Sequence, residues 1–282
     1  MQQGRDILKL LAIPNPKGKV KLTHAVKEEP NLGVRKQMED YTIVEPDLLG
    51  NGQFSFHAVL DGHGGFEVAK CVKENLPTIL KNELQKYKKG MIKDIVKKMI
   101  EKVEIKIKEI GGRDIGTTLT SILVHKPDNM IFYINIGDSN IAAIRYDSSN
   151  KLHSDFKCQL HKVSNPKETE RVKNTGGTIL KGRLAGNLLI TRSLGDFDMQ
   201  EYGLISTPDI YESLLFKNKL VFLASDGIWD VINTIQLLQL LKANSGKTLT
   251  QLADAIVKYA IEQGSIDNIS LIIVLIEFSE NP

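Results

Sequence analysis

Five aspartates stand where apolar, strand-like runs of this chain begin or end, and this pattern constrains the fold more than any other. Asp61 ends FSFHAVLD, Asp138 ends IFYINIGD, Asp226 ends KLVFLASD with Asp230 following, and Asp267 opens DNISLIIVLIEF. Strand ends in a layered fold can bring residues that are distant in sequence to one rim. Carboxylates gathered there repel one another unless cations neutralise them. Oxygen ligands suit Mg²⁺ or Mn²⁺, so the pattern predicts a site for two or more such ions.

A single aspartate at a strand end has a simpler explanation, because aspartate side chains cap turns and neighbouring helices. Capping is the favoured interpretation for any one of the five. Four of them adjoin glycine or asparagine, and for all five together metal binding is favoured.

Composition excludes several classes of protein. The 282 residues are 41% hydrophobic and 25% charged, and the formal charge of +3 is too small to indicate a nucleic-acid partner. The chain contains no run of about 18 apolar residues, so no membrane helix is predicted. The N-terminus lacks the apolar segment and small-residue cleavage site of a secretory signal. Cys71 and Cys158 form no CxxC pair, which favours a reducing intracellular compartment, cytoplasmic or nuclear.

The pattern of apolar residues predicts a fold with locally paired strands, then helices, then strands again. Residues 1–20 are expected to form an irregular arm, broken by Pro14 and Pro16, and residues 21–282 a single domain. Helices are predicted at 66–76, 91–110, 167–175, 234–242 and 249–263. Strands are predicted at 40–44, 54–60, 118–125, 130–136, 141–146, 187–191, 220–224 and 270–278. This order favours two sheets with helices outside them.

Eight segments carry a resemblance to a known family. They are RKQMEDYTIV, VLDGHGG, GTTLTSILV, NIGDS, ITRSLGD, STPDI, LASDGIWDVI and IDNISLIIV, in that order. Together they resemble the metal-dependent protein phosphatases of type 2C, from about residue 33 to residue 276. The resemblance implies an α+β fold in α-β-β-α layers: a central sandwich of two mostly antiparallel sheets, flanked by helices, with a metal cleft at one end. It also implies hydrolysis of phosphoserine and phosphothreonine in proteins by a hydroxide that bridges two Mg²⁺ or Mn²⁺ ions.

The resemblance assigns five residues to a pair of tightly bound ions. Asp61 matches the aspartate that bridges both ions, and the carbonyl of Gly62 completes one of them. Asp226 and Asp267 match the other ligands of the pair. Glu39 matches the carboxylate that holds metal-bound water.

The remaining assignments concern a weaker third ion and the substrate. Asp138 and Asp230, with Asp226, match the ligands of the third ion. Arg35 matches the arginine that binds the phosphate group, and His63 matches the proposed general acid. Without the resemblance, the simpler interpretations are that Arg35 is a surface ion-pair partner and His63 a loop residue.

The chemistry of phosphate-ester hydrolysis fits these residue types. Two metal ions about 3.5–4 Å apart can share a hydroxide and clamp the phosphoryl oxygens. Arginine grips phosphate oxygens with a planar fork that lysine lacks. A serine alkoxide is a poor leaving group, so a nearby acid accelerates its departure, typically by about 10²–10⁴-fold.

The sequence departs from the family pattern around the expected flap and substrate rim. Asn140 and Ile141 follow GDS where the family usually has Arg and Ala. Leu160 precedes His161, and Pro166 is displaced, so His161 receives no role. These changes leave the peptide preference and the affinity for a third ion open.

Two alternative functions remain at this point. One is a catalytically inactive type 2C relative that binds phosphoproteins or regulates a partner, although no matched ligand position is lost. The other is a different metallohydrolase on a similar layered fold. The expected partners are phosphoprotein substrates, with no nucleic acid and no membrane, and the expected oligomeric state is a monomer.

Overall fold

Two five-stranded antiparallel sheets form the centre of the protein. The computed structural model describes residues 18–146, 151–215 and 220–280. In spatial order, the first sheet holds β1 (Gly18–Glu29), β15 (Ile269–Glu280), β14 (Leu220–Ala224), β8 (Asn140–Tyr146) and β9 (Leu152–Lys157). The second sheet holds β13 (Asp209–Leu214), β7 (Met130–Ile136), β6 (Leu119–His125), β3 (Phe54–Leu60) and β2 (Tyr41–Glu45).

Helices cover the outer face of each sheet. The helices are α1 (Glu67–Leu84), α2 (Ile92–Glu109), α3 (Pro166–Asn174), α4 (Asp226–Trp229), α5 (Thr234–Ala243) and α6 (Leu249–Glu262). The apolar faces of α1 and α2 share a buried core with the second sheet, and those of α5 and α6 share one with the first. The predicted α+β fold in α-β-β-α layers is confirmed.

A third core lies between the two sheets. It contains Val59, Ile122, Val221 and Ile272, all fully buried. Every residue of β3 is buried because alternate side chains enter the helix-covered core and the core between the sheets. Cys158 also lies in this inter-sheet core and, like the buried Cys71, is a free thiol.

Two local predictions need correction. Residues 18–20, expected to belong to an irregular arm, begin β1, which pairs with β15 along its whole length; residues 1–17 lie outside the described ranges. Residues 187–191 do not form a regular strand. They make isolated bridges to different segments, Leu188 to Leu184 and Ile190 to Lys162, so this run lacks a single neighbouring strand.

The strand register brings the aspartate-bearing ends to one edge of the sandwich. Leu119 at the start of β6 pairs with Ile136, the last residue of β7. In the first sheet, Ala224 at the end of β14 pairs with Asn140, the first residue of β8. Residues 137–139 therefore cross from one sheet to the other and place Asp138 between the two sheet edges.

Smaller elements complete this edge. A three-stranded sheet holds β12 (Leu194–Gly195), β5 (Gly116–Thr117) and β4 (Gly62–His63), and a hairpin joins β10 (Ile179–Leu180) to β11 (Arg183–Leu184). A 3-10 helix follows at Phe197–Tyr202. Among the described residues, no helix is long and apolar enough to cross a membrane.

Candidate active site

A cleft of about 250 Å³ opens at the edge where the strand ends meet. Its walls hold eight of the nine residues predicted for the site: Arg35, Glu39, Asp61, Gly62, His63, Asp138, Asp226 and Asp267. The ninth, Asp230, does not line the cleft, and 64% of its side chain is exposed. Segments that are far apart in sequence thus meet in one cavity, as the strand-end pattern predicts.

Three carboxylates form the centre of the cleft. Asp61, Asp138 and Asp226 each offer an oxygen, and these oxygens lie within 4.8 Å of one another. Burial, followed by the negative charges of Asp226 and other carboxylates, raises the pKa of Asp61 well above its usual value. Burial and the charge of Asp138 raise the pKa of Asp226 to about 7. The trio is unfavourable when ionised and unneutralised, and its all-oxygen donor set fits a hard divalent cation.

This repulsion predicts an unusual pH dependence of stability in the presence of a chelator. The folded state holds protons on Asp226 and on Asp40, whose pKa is also raised to about 7. The unfolded chain loses these protons near pH 4. The free energy of unfolding should therefore fall as pH rises from about 4 to 7, by up to about 1.4 kcal/mol per pH unit for each group.

Urea denaturation in chelator across this range measures the effect. Asp61→Asn should be more stable than the parent at pH 8, because one buried carboxylate is gone. Excess Mn²⁺ should stabilise the parent protein more than the variant. A flat pH profile for the chelated parent would contradict this account of the trio.

Backbone contacts around Gly62 and Glu39 shape one wall of the cleft. A β-carbon at position 62 would overlap the carbonyl oxygen of Glu39, so only glycine fits there. The backbone N–H of Glu39 donates to Oδ1 of Asn268 at 2.9 Å, and Gln37 donates from Nε2 to Glu39 Oε1 at 2.7 Å. Both contacts hold Glu39 beside the trio.

Asp40 is a buried acid that the sequence interpretation missed. It is 2% exposed, and burial, with the negative charge of Asp267 acting in the same direction, raises its pKa to about 7. It adjoins Glu39 and is close enough to raise the pKa of Asp61. The signal was its position directly after Glu39 in MEDYTIV, at the start of a strand.

Asp267 and Arg35 form an ion pair at the mouth of the cleft. Nη2 of Arg35 contacts Oδ2 of Asp267, and Nε donates to the carbonyl of Ile266 at 3.2 Å. Oδ1 of Asp267 accepts the backbone N–H of Asn268 at 2.7 Å. The guanidinium is therefore held at the cleft by a partner that is itself a predicted metal ligand.

Lys162 is a second residue that the sequence interpretation missed. Its Nζ lies 3.1 Å from Oδ2 of Asp138 and 3.5 Å from Oδ1 of Asp230. Burial disfavours its charge, but the neighbouring carboxylates of Asp138 and Asp230 outweigh burial and raise its pKa. The ammonium is therefore a built-in positive charge between two carboxylates predicted to bind the third ion.

His161 fastens the turn that carries Asp138. Its Nδ1 accepts the backbone N–H of Gly137 at 3.0 Å, and the backbone N–H of His161 donates to the Gly137 carbonyl at 3.0 Å. Its Nε2 lies 3.3 Å from Oδ2 of Asp209. Since Nδ1 accepts, Nε2 carries the proton and faces the carboxylate. His161 thus supports the site through the backbone, and the sequence carried no local signal for this role.

His63 is paired with a buried carboxylate. Its Nε2 lies 2.7 Å from Oδ2 of Asp196, which is 1% exposed and also accepts the hydroxyl of Ser193 at 2.5 Å. Burial disfavours the charged imidazole, but the hydrogen bond and charge of Asp196 outweigh burial and raise the pKa of His63. The sheet of β4, β5 and β12 creates this pair, because Gly116 lies beside both side chains and a β-carbon there would overlap them.

The two-sheet sandwich and its carboxylate-lined cleft give this chain the architecture of a metal-dependent hydrolase. The sequence profile of the family "Protein phosphatase 2C" matches residues 25–269. The chain therefore belongs to the protein phosphatase 2C family of metal-dependent serine/threonine protein phosphatases.

Curated relatives cover most of the chain. "Protein phosphatase 2C homolog 1" of Saccharomyces cerevisiae is 28% identical over 268 residues, which span 89% of this chain and 92% of the relative. "Protein phosphatase 1B" of Homo sapiens is 33% identical over 278 residues, again 89% of this chain but 56% of the relative. The chain thus spans nearly all of the yeast protein and about half of the human one.

Solved structures share the fold. A C. elegans sex-determining protein superposes with a TM-score of 0.77 at 24% identity, covering 92% of this chain and 65% of that one. The serine-threonine phosphatase 2C of Toxoplasma gondii superposes with a TM-score of 0.74 at 20% identity, covering 94% and 100%. The fold is therefore retained although most side chains differ.

Proposed function

We propose that this protein hydrolyses phosphoserine and phosphothreonine esters in proteins with Mg²⁺ or Mn²⁺ held by the cleft carboxylates. The observation that carries the proposal is the buried trio of Asp61, Asp138 and Asp226, with oxygens within 4.8 Å of one another, in the same cleft as Arg35 and His63. When bound, two such ions would supply a nucleophilic water at neutral pH and neutralise the phosphoryl oxygens.

The tight pair of ions is assigned to the carboxylates on the strand ends. In this proposal Asp61 would hold both ions, Asp226 and Asp267 would complete the pair, and the Gly62 carbonyl would hold one ion. Glu39 orients the water molecule. Each of these residues lines the cleft. The close approach of Gly62 to the Glu39 backbone supports the assignment, because it brings main chain as well as side chains to the cleft wall.

A weaker third ion is assigned to Asp138 and Asp230 with Asp226. The ammonium of Lys162 already contacts the first two carboxylates. An additional cation must therefore enter against a positive charge, which supports the lower affinity of this third site.

His63 is assigned as the general acid and Asp196 as the residue that positions it. If Nε2 donates to Asp196, the protonated ring retains Nδ1 for donation to the departing oxygen. The raised pKa keeps the imidazole protonated over more of the neutral range. The hydrogen bond from Ser193 to Asp196 holds the carboxylate in place.

Arg35 is assigned to binding of the phosphate group. Its guanidinium stands at the cleft mouth and is planar and permanently charged, which suits bidentate contact with phosphoryl oxygens. Its present partner, Asp267, is one of the proposed ligands of the tight pair. Ion binding by Asp267 would weaken that ion pair and favour contact between Arg35 and the substrate.

Phosphate release from phosphothreonine peptides tests the proposal. Activity should be absent in excess chelator and should return on addition of Mn²⁺ or Mg²⁺, because the ions would supply the nucleophilic water. Full activity in chelator would exclude metal-dependent hydrolysis. Tight Mn²⁺ binding without turnover of any phosphoester would instead indicate an inactive relative.

Asp138→Asn tests whether Asp138 binds a third ion that is separate from the tight pair. We expect a lower kcat while two ions still bind tightly, because Asp61, Asp226 and Asp267 remain. Calorimetric titration with Mn²⁺ measures the binding of each ion. In the companion variant Lys162→Met, the weakest ion should bind more tightly, because the ammonium beside Asp138 and Asp230 is removed. Loss of the tight pair in Asp138→Asn would show that Asp138 belongs to the pair and that the assignment to a separate ion is wrong.

The remaining proposals concern context. We propose phosphoprotein substrates, a monomeric state, a single catalytic domain that includes β1 from residue 18 and an intracellular location. The two buried free thiols support a reducing compartment.

A further inference from the structure

Exposed aliphatic side chains are concentrated on the segments that border the cleft. Among the described residues, eleven large hydrophobic side chains are exposed, and five of them belong to these segments. They are Leu32, Val34, Leu180, Leu189 and Ile266, which are 50–71% exposed. Single exposed apolar residues need no explanation, but a concentration around one cleft indicates a binding surface.

Hydrogen bonds tie two of these segments together on the Arg35 side of the cleft. Residues 31–35 form a turn in which the N–H groups of Val34 and Arg35 donate to the Asn31 carbonyl at 2.9 and 3.0 Å. The Asn31 side chain donates to the carbonyls of Ser265 and Asp267 at 3.0 and 3.1 Å. Val34 and Ile266 are thus immediate chain neighbours of Arg35 and Asp267, which line the cleft.

The second border is the β10–β11 hairpin with the chain that follows it. Arg183, Leu188 and Leu189 line the same cleft. Arg183 donates from Nη1 to the Asn187 carbonyl at 2.7 Å, and the Leu189 carbonyl accepts the N–H of Val163 at 2.8 Å. Hydrogen bonds at Asn187 and at Leu189 itself therefore hold the backbone that places the Leu189 side chain in the cleft wall.

The segments of this border carry positive charge, although the acidic residues Glu29 and Asp267 adjoin them. Residues 31–37, 178–190 and 264–266 contain Arg35, Lys36, Lys181 and Arg183 but no aspartate or glutamate. Asp267 lies at the mouth of the cleft and is paired with Arg35, and the buried carboxylates of the cleft would be neutralised by the proposed ions. A peptide with basic residues beside its phosphate would face like charges here, whereas acidic residues would face opposite ones.

We propose that this border, named the aliphatic rim and made of Leu32, Val34, Leu180, Leu189 and Ile266, selects phosphopeptides with aliphatic and acidic residues beside the phosphorylated residue. The inference rests on the proposed function, because the reacting phosphate must enter the same cleft. The rim is continuous with the cleft wall through Leu189. The side chains next to a phosphate in the cleft would therefore lie against the rim.

The test compares kcat/KM for phosphothreonine peptides that differ only at the residues flanking the phosphothreonine. We expect Leu-flanked peptides to be hydrolysed roughly tenfold more efficiently than Ser-flanked peptides, the size expected for partial burial of one aliphatic side chain. Glu-flanked peptides should also exceed Ser-flanked ones, because their carboxylate faces the basic residues of the border. Arg-flanked peptides should be the poorest substrates. Val34→Ser and Leu189→Ser should each reduce the preference for Leu over Ser several-fold.

Ile105→Ser provides a matched control, since Ile105 is as exposed as Val34, at 56%, but lies on α2. It should keep the full peptide preference. The Leu189→Ser loss should also be smaller for p-nitrophenyl phosphate, which has no flanking residues, than for the Leu-flanked peptide.

Equal kcat/KM for Leu-, Ser- and Arg-flanked peptides would overturn the inference while leaving the proposed function intact. No turnover of peptides or p-nitrophenyl phosphate with Mn²⁺ would instead refute the proposed function. Rim-dependent binding to phosphatidylserine vesicles, with no peptide preference, would assign the rim to a lipid surface and also overturn the inference.

Discussion

Asp61→Asn is expected to lower turnover of a phosphothreonine peptide by about 10³-fold or more, while the protein remains folded. Asp61 forms, with Asp138 and Asp226, the trio whose oxygens lie within 4.8 Å of one another. An amide oxygen is neutral and binds a divalent cation less strongly than a carboxylate does. Loss of one charge at the centre of the site should therefore weaken both proposed ions of the tight pair.

The measurement combines steady-state kinetics at several Mn²⁺ concentrations with calorimetric metal titration. Asp94→Asn is a matched control, because Asp94 is an exposed aspartate in the first turn of α2, and it should leave both properties unchanged. Circular dichroism should show the same fold for Asp61→Asn. Tight binding of two ions together with parental turnover would remove Asp61 from the catalytic site.

His63→Gln is expected to slow phosphoserine peptides by about 10²–10⁴-fold and p-nitrophenyl phosphate far less. A serine leaving group departs as a strong base and needs a proton in the transition state, whereas p-nitrophenolate is a weak base. The pairing of His63 Nε2 with Asp196 at 2.7 Å orients the ring for this donation. Steady-state kinetics of both enzymes on both substrates, at saturating Mn²⁺, measures the difference.

The pH profile separates a general acid from a structural histidine. A general acid loses activity as pH rises through its pKa, so the basic limb of the peptide kcat profile should flatten in His63→Gln. Asp196→Asn removes the charge that raises the His63 pKa, and the basic limb should move to lower pH. Equal losses on both leaving groups, with an unchanged limb, would show that His63 orients water or metal instead.

Local sequence was sufficient to predict the strands and helices that carry the site. Strong apolar runs such as 54–60 and 220–224 became β3 and β14, because burial on both faces requires continuous apolar sequence. The aspartates follow these runs directly, so their placement at strand ends depends on adjacent residues alone. Eight of the nine predicted site residues consequently line one cleft.

Local sequence was weaker where an element depends on a distant partner. β1 pairs with β15, more than 200 residues away in the chain, and lies at the edge of its sheet. Its lysines and alternating apolar residues give only a modest strand signal. Residues 187–191 show the opposite error: their apolar run predicted a strand, but no single neighbouring strand pairs with it, so only isolated bridges form.

The sequence by itself determined eight of the residues that line the cleft, whereas only the tertiary structure decided their partners and revealed Asp40 and Lys162 beside them. Asp196 lies 133 residues from His63, and Lys162 reaches Asp138 and Asp230 from a segment whose departures from the family pattern had left its role open. Such pairs form where distant segments of the chain meet at the edge of the sandwich, and burial there makes each unpaired charge costly. A residue's type and its sequence neighbours indicate what chemistry its side chain can perform, but only the folded chain determines which charged group it contacts.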